Sequence, residues 1–292
     1  MPSPHPQPIG TLFKVLDVPA AELGKYPNLV ADLSQGVVDV ALIRGVFSTA
    51  TMDTVLGRIN RGEHGLVVSP QSTADVEAPQ VTLFGQGITP NDVDRRPRNE
   101  SQAAYHAHAE EFSALCRELF AGVEDYETRI DSLFSSISGG AKSAVPRDNL
   151  GRLFTPSTIR RLSPGAEMNL HVGNYFLSTP AYKYLQPQLC PHDQLSFFLP
   201  IDPPQAGGEI EVFELEFNDP RMPKRPTGDV VAATVEASMR FESYGPGKGD
   251  MFLFNGGRFY HRVDWVVGPR PRWTIGGFVS LSKDFKTVFH WS

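Results

Sequence analysis

The chain has 292 residues, enough for one large domain or two small ones with a sizeable buried core. Its 40% hydrophobic and 21% charged residues are ordinary for a soluble globular protein, and a formal net charge of −6 argues against a nucleic-acid polymer as partner. Two cysteines make no disulfide framework, and no apolar run reaches the roughly 18 residues of a spanning helix, so the expected setting is cytoplasmic, away from any membrane.

Residues 1–10, rich in proline, lack the apolar core of a signal peptide and read as a flexible tail. Residues 20–33 carry apolar positions at helical spacing, 37–43 form a short strand-like run, and 49–59 read as a helix. Val81-Thr-Leu-Phe84 predicts another strand, followed by a turn-rich basic stretch over 85–99. Helices are expected over 101–120 and 124–137, the second stopped by Gly139-Gly140. Near Pro146 the pattern changes to short strands, at about 167–171, 194–200, 209–214, 239–244, 250–254, 273–281 and 287–291. Turn signals such as Gly207-Gly208 and Gly245-Pro-Gly-Lys-Gly249 separate them, and 220–226 reads as a long connection or lid. The expected fold is mainly β with α. A jelly-roll, cupin-like core over about 151–292 is buttressed by a helical layer and pocket wall over about 11–150, all in a single domain.

His171-Val172-Gly173 is answered roughly 90 residues later by His261, in Asn255-Gly-Gly-Arg-Phe-Tyr-His-Arg-Val263. A non-haem Fe(II) oxygenase holds its metal with two histidines and a carboxylate, leaving open positions for a co-substrate and O₂. The carboxylate usually follows the first histidine by two residues, leaving the same face of one strand. Here that residue is Gly173, so one more position would be free for an exogenous anion such as chloride. Arg272, about eleven residues beyond His261, is the candidate for the distal carboxylate of 2-oxoglutarate, because a guanidinium fits a carboxylate as a planar fork. Arg270 competes for that role, but its place in a turn reads as a surface position. Over 193–198 the alternation puts Gln194, Ser196 and Phe198 on one face, and if that face is inward Ser196 sets a hydroxyl beside the metal.

These residues belong to an ordered set that resembles the freestanding iron/2-oxoglutarate aliphatic halogenases. The set includes Ile43-Arg-Gly-Val-Phe47, Thr155-Pro-Ser-Thr-Ile-Arg160, His171-Val-Gly-Asn174, Asp193-Gln-Leu-Ser196, Ala206-Gly-Gly-Glu209, Gly249-Asp-Met-Phe-Leu-Phe-Asn-Gly-Gly-Arg258, Tyr260-His-Arg-Val263 and Thr274-Ile-Gly-Gly-Phe278. It is similar in pattern to the enzymes that chlorinate hapalindole-type indole alkaloids, and it covers nearly the whole chain, weakly over 65–110 and 215–240. The resemblance implies a double-stranded β-helix with Fe(II) on His171 and His261, chloride in the gap left by Gly173, and 2-oxoglutarate paired with Arg272. It also implies that Ser196 helps orient the iron-oxo group, and that a chloro-iron(IV)-oxo species formed with O₂ chlorinates an unactivated sp³ carbon. A hydroxylase of the same superfamily is the alternative.

The weak stretches are where a small-molecule substrate should be read, and no obligatory protein partner is expected. Arg95, Arg96 and Arg98, followed by Tyr105-His-Ala-His108, offer cations and an aromatic where an alkaloid pocket needs apolar surface. A related branch of these halogenases acts on 2′-deoxyadenosine monophosphate in nucleoside-antibiotic biosynthesis, so the resemblance favours a purine deoxynucleotide over an indole alkaloid. Met168 and Phe176, flanking the histidine motif, and Phe84 are further candidate pocket walls.

Overall fold

Alternation along ten strands builds the larger of two sheets that enclose the histidine pair. The computed structural model describes residues 12–62, 69–71, 81–84, 98–177, 182–222 and 232–292, with the backbone alone for 69–71, 81–83 and 98–104. The larger sheet runs in the order β1 (Val15–Pro19), β2 (Val40–Arg44), β12 (Met251–Phe254), β8 (Leu195–Asp202), β15 (Arg272–Leu281), β6 (Thr158–Leu162), β4 (Val81–Phe84) and β3 (Ser69–Gln71). Beside β15 lies β16 (Thr287–Trp291), which also pairs with β5 (Lys142–Ala144). The smaller sheet runs β11 (Phe241–Tyr244), β10 (Ile210–Glu216), β13 (Phe259–Val263) and β7 (Met168–His171), and a two-residue pairing joins β9 (Ala206–Gly207) to β14 (Val266–Val267). This is the jelly-roll architecture expected from the sequence.

The two faces of the larger sheet have separate tasks. Leu195, Phe197, Leu199, Leu253, Trp273, Ile275 and Val279 point outward into one large apolar core. That core is shared with α1 (Leu29–Ser34), α2 (Thr49–Arg61), α3 (Arg98–Leu119) and α4 (Tyr126–Ser136). The opposite face carries Ser196, Phe198, Phe252, Phe254 and Arg272, and the smaller sheet closes over it through Ile210, Val212 and Phe259 packed on Phe252 and Phe254. Side chains two apart on a strand share a face, so each strand feeds a dry outer core and a functional interior at once.

Two departures from the sequence reading have plain causes. The helix expected over 20–33 is broken into a 3₁₀ turn, Ala20–Lys25, and α1, because Pro27 forces Tyr26 off helical geometry, to φ −125° and ψ 56°. β1 escaped the reading because it is an edge strand with one buried residue among five, paired in parallel with β2. The expected tail over 1–10 and most of the connection over 220–226 lie outside the described residues.

Candidate metal centre

His171 ends β7 and His261 occupies the middle of β13, and the antiparallel register sets them directly opposite each other. Their ring centroids are 4.2 Å apart with planes inclined at 58°. In each ring Nδ1 lies within hydrogen-bond reach of a carbonyl in its own strand, 2.7 Å from Asn169 O and 2.9 Å from Phe259 O. A carbonyl only accepts, so Nδ1 carries the hydrogen in both rings and both Nε2 lone pairs stay free for a metal. Phe254 stands edge-on to His261 at 4.8 Å and holds its ring upright.

The electrostatics keep both rings neutral. Burial lowers the His171 pKa to about 4, and the Arg160 charge adds to the effect against the Asn169 hydrogen bond. Burial takes His261 well below the usual imidazole value, with further lowering from His171 and Arg160. Neutral imidazoles with free Nε2 atoms are the form that binds a metal without first giving up protons.

The third position departs from the expected strand geometry. β7 stops at His171, and Gly173 opens a short helix, α5 (Gly173–Leu177), so it does not continue the strand face. Its backbone is tied down instead: Gly173 N–H donates to Gly256 O at 2.7 Å, and Asn174 N–H donates to Gly257 O at 3.1 Å. Gln194 Nε2 donates to the Gly173 carbonyl at 2.5 Å, and a Cβ added at Gly173 would stand 2.7 Å from that nitrogen. Among the described residues, no group of three or more His, Cys, Asp or Glu residues could hold a metal. The donor set is thus two histidines, and it fits a metal that takes its remaining ligands from small molecules.

Arg272 points into the interior and is 5% exposed, while Arg270 is exposed in the turn before β15. The Arg272 guanidinium lies 4.9 Å above the Phe198 ring, and Gly208 leaves room for its stem, since a Cβ there would come within 3.1 Å of Arg272 Cδ. Burial lowers its pKa to about 10, with Arg160 pushing the same way and Glu209 opposing without an ion pair. Ser196 stands in the row Phe254, Ser196, Phe278 and Trp291, which runs across four adjacent strands. Among the described residues its buried Oγ has no hydrogen-bond partner.

Arg160 is the residue that the sequence reading passed over. It lies on β6 opposite Thr274, diagonal to Arg272 on the same face. Burial lowers its pKa, only Tyr182 opposes this, and no carboxylate pairs with it among the described residues. Two arginines in sequence, Arg160 and Arg161, announce that strand alternation turns one of them inward. That signal sits at the end of the shared run Thr155–Arg160 and continues into Arg161.

The pocket candidates divide. Phe176 lies beside the histidines, its ring centroid 6.4 Å from His171 and 6.2 Å from Phe278. Met168 packs with Leu162, Val263 and Val266, further along the interior. Phe84 is not a pocket wall: it pairs with Ile159 and stacks on Trp273 at 5.5 Å, both on the outer face, because alternation turns it away from the histidines. Tyr105 and His106 are structural as well. Tyr105 OH donates to Ser292 O at 2.8 Å and accepts from Thr155 N, and His106 lies 2.6 Å from Leu153 O. Arg96 lies outside the described residues, as does the side chain of Arg98, whose backbone opens α3.

The model of the carrier-protein-independent halogenase WelO5 matches residues 12–292. The chain belongs to this family. The match takes in both histidines, Gly173, Arg160, Ser196 and Arg272 of this WelO5-family chain. Among solved structures, an N-substituted L-amino acid dioxygenase from Burkholderia ambifaria is similar at 14% identity and a TM-score of 0.52, covering 89% of this chain and 90% of that one. A prolyl-4-hydroxylase from Pseudomonas putida is similar at 13% identity and a TM-score of 0.43, covering 88% and 97%. The first of these likenesses supports the fold of this WelO5-family member. No curated protein matches the chain. No helix among the described residues is long and apolar enough to cross a membrane.

Proposed function

We propose that the protein is an Fe(II)- and 2-oxoglutarate-dependent halogenase that uses O₂ and chloride to chlorinate an unactivated sp³ carbon of a purine deoxynucleotide such as 2′-deoxyadenosine monophosphate. The observation that carries this reading is the opposed pair His171 and His261, both poised through Nε2, with Gly173 where an oxygenase presents a carboxylate. Iron would supply the activation of O₂ and the removal of a hydrogen atom from carbon; the protein supplies position, charge and dryness.

His171 and His261 would hold the metal, and their Nδ1 hydrogen bonds fix the ring planes before it arrives. Arg272, buried without an anionic partner among the described residues, would bind the distal carboxylate of 2-oxoglutarate. Arg160 adds a second, partly buried cation near the histidines, favouring anionic groups there. Ser196 offers an unpartnered hydroxyl in the interior, and Phe176 and Phe278 form an apolar wall against which a flat ring system could lie. The nucleotide reading is supported by the basic run Arg95, Arg96 and Arg98 as well as by Arg160.

Anaerobic titration with Fe(II) and 2-oxoglutarate, with and without chloride, tests the reading. The metal-to-ligand absorption band should shift when chloride is added, and an unchanged band removes the basis for a halogenase. Mass spectrometry of deoxyadenosine monophosphate after aerobic turnover should show the chlorine isotope pair. A hydroxylated product in saturating chloride would assign a hydroxylase instead, and chlorination of an indole but no nucleotide would overturn the substrate.

A further inference from the structure

We infer that Arg160, Tyr182 and Trp291 form a subsite for an oxyanion, and that its occupant is the phosphate of the substrate. The identity of the occupant rests on the nucleotide reading, while the donor set is independent of it. Tyr182 and Trp291 are fully buried in one apolar cluster with Tyr105, Phe154, Leu185 and Leu189. Among the described residues neither the Tyr182 hydroxyl nor the Trp291 indole nitrogen has a hydrogen-bond partner. The polar groups beside them are satisfied: Thr158 Oγ1 and Ser292 Oγ lie 2.9 Å apart, and Tyr105 OH donates to Ser292 O at 2.8 Å. A buried donor left without an acceptor is costly, so two in one cluster point to a ligand that supplies the acceptor.

Arg160 brings the charge. It is partly buried on the interior face of β6, and Trp291 stands in register with Phe278 on that same face. Burial raises the Tyr182 pKa, and the Trp291 indole and the Arg160 charge, both close to the phenol, pull it back. Arg160 has no carboxylate partner among the described residues. A guanidinium fork, a phenol O–H and an indole N–H offer several donors and almost no acceptor, the set that suits a group with several oxygens. Arg272 lies apart from them, on the diagonal and over the Phe198 ring, and two like charges in one interior each call for an anion. From the donors an aromatic strip leads back to the histidines: Trp291 to Phe278 at 6.0 Å, Phe278 to Phe176 at 6.2 Å and Phe176 to His171 at 6.4 Å. A substrate anchored by its phosphate at the far end is held with its sugar toward the histidine end.

Calorimetric titration with inorganic phosphate tests the subsite, on the purified protein with and without Fe(II) and 2-oxoglutarate under anaerobic conditions. Phosphate should bind in both states. Tyr182→Phe should weaken it roughly tenfold or more, the loss of a hydrogen bond to a charged group, and Arg160→Gln should remove it. Tyr182→Phe should also leave Tm unchanged or higher, because the lost hydroxyl has no partner in the fold, whereas a structural hydroxyl would lower Tm and leave phosphate binding alone. Deoxyadenosine monophosphate should bind on the order of tenfold tighter than deoxyadenosine, and Arg160→Gln should erase that difference. Equal phosphate affinity in the three proteins, or displacement of phosphate by 2-oxoglutarate, would overturn the inference. Phosphate binding that depends on Tyr182 and Arg160, with the monophosphate preferred but never chlorinated, supports the subsite and defeats the halogenase reading. Chlorination of the monophosphate with a KM unmoved by either substitution does the opposite.

Discussion

His171 and His261 are register partners across two antiparallel strands, and each is hydrogen-bonded through Nδ1 to a carbonyl two residues earlier in its own strand. The histidine pair is therefore built by β pairing and needs no loop to close.

That burial has a pH consequence. Both folded-state pKa values lie below the ordinary imidazole value of about 6.5, His171 at about 4. Between those limits the unfolded chain binds more protons than the folded one, so stability is complete above about pH 6.5 and drains as the pH falls through the folded values. The apoprotein Tm should drop between pH 7 and pH 5, and His171→Gln should make that slope shallower. Thermal scans across this range check it; equal slopes for the two proteins would contradict the burial argument. Co(II) affinity should stay level down to about pH 5, because no protons need to be displaced.

Arg160 and Arg272 form a like-charged diagonal in the same interior, and each is kept from ion pairing among the described residues. Such a pair costs folding stability until an anion arrives. Arg160→Leu should stabilise the ligand-free protein by roughly 1–3 kcal/mol in urea melts. Arg272→Ala should raise the 2-oxoglutarate requirement roughly 10–100-fold, the loss of a charge-assisted bidentate contact. An unchanged requirement would move that role to Arg270 despite its exposure.

Much of this architecture is legible in the sequence, because it rests on alternation and on side-chain chemistry that composition cannot hide. β15 is readable as a strand whose even positions, Arg272, Thr274, Gly276 and Phe278, face one way, and the structure places its odd positions, Trp273, Ile275 and Val279, in the outer core. β6 and β13 were not delimited as strands, since five residues with two arginines, or a histidine flanked by Tyr260 and Arg262, do not make an apolar run. Phe84 was misread because an aromatic carries no mark of which face it takes; only its pairing with Ile159 decides that. Gln194 was placed on the right face, but its contact with Gly173 depends on three segments far apart in sequence, which no local pattern encodes.

Asp193 offers a test of how the segment after Gly173 is held. Its carboxylate accepts from Asn174 Nδ2 and from the Arg258 guanidinium, all at 2.7 Å, and so ties the segment after Gly173 to the turn before β13. Both charged side chains keep about a quarter of their surface in solvent, 26% for Arg258 and 21% for Asp193, which discounts the ion pair. Asp193→Ala should cost about 1–2 kcal/mol of stability, most of it from the stranded Asn174 and Arg258 donors. Asp193→Asn should cost less, because it keeps one acceptor for Asn174. Urea melts of the two variants decide the order; equal costs would show that the charge, rather than the tie to Asn174, is what matters.

Ser196 allows a test of whether a buried hydroxyl serves the reaction or the fold. A serine kept for the fold would use its hydroxyl on a neighbour, but among the described residues Ser196 Oγ is buried with no hydrogen-bond partner, and Gly256 runs so close that a Cβ there would collide with it. Removing an unsatisfied buried hydroxyl costs the fold nothing and relieves a desolvation penalty of about 1 kcal/mol. Ser196→Ala should therefore leave Tm unchanged or raise it slightly, while altering what the enzyme makes, since the interior loses its one hydroxyl in the row between Phe254 and Phe278. The expected readout is a fall in the ratio of chlorinated to hydroxylated product, with succinate formation per 2-oxoglutarate consumed held constant. A lowered Tm with an unmoved product ratio would make Ser196 a packing residue whose partner appears only in solution, and Ser196→Thr, which restores the hydroxyl beside an extra methyl, should recover the ratio only if the hydroxyl is what counts.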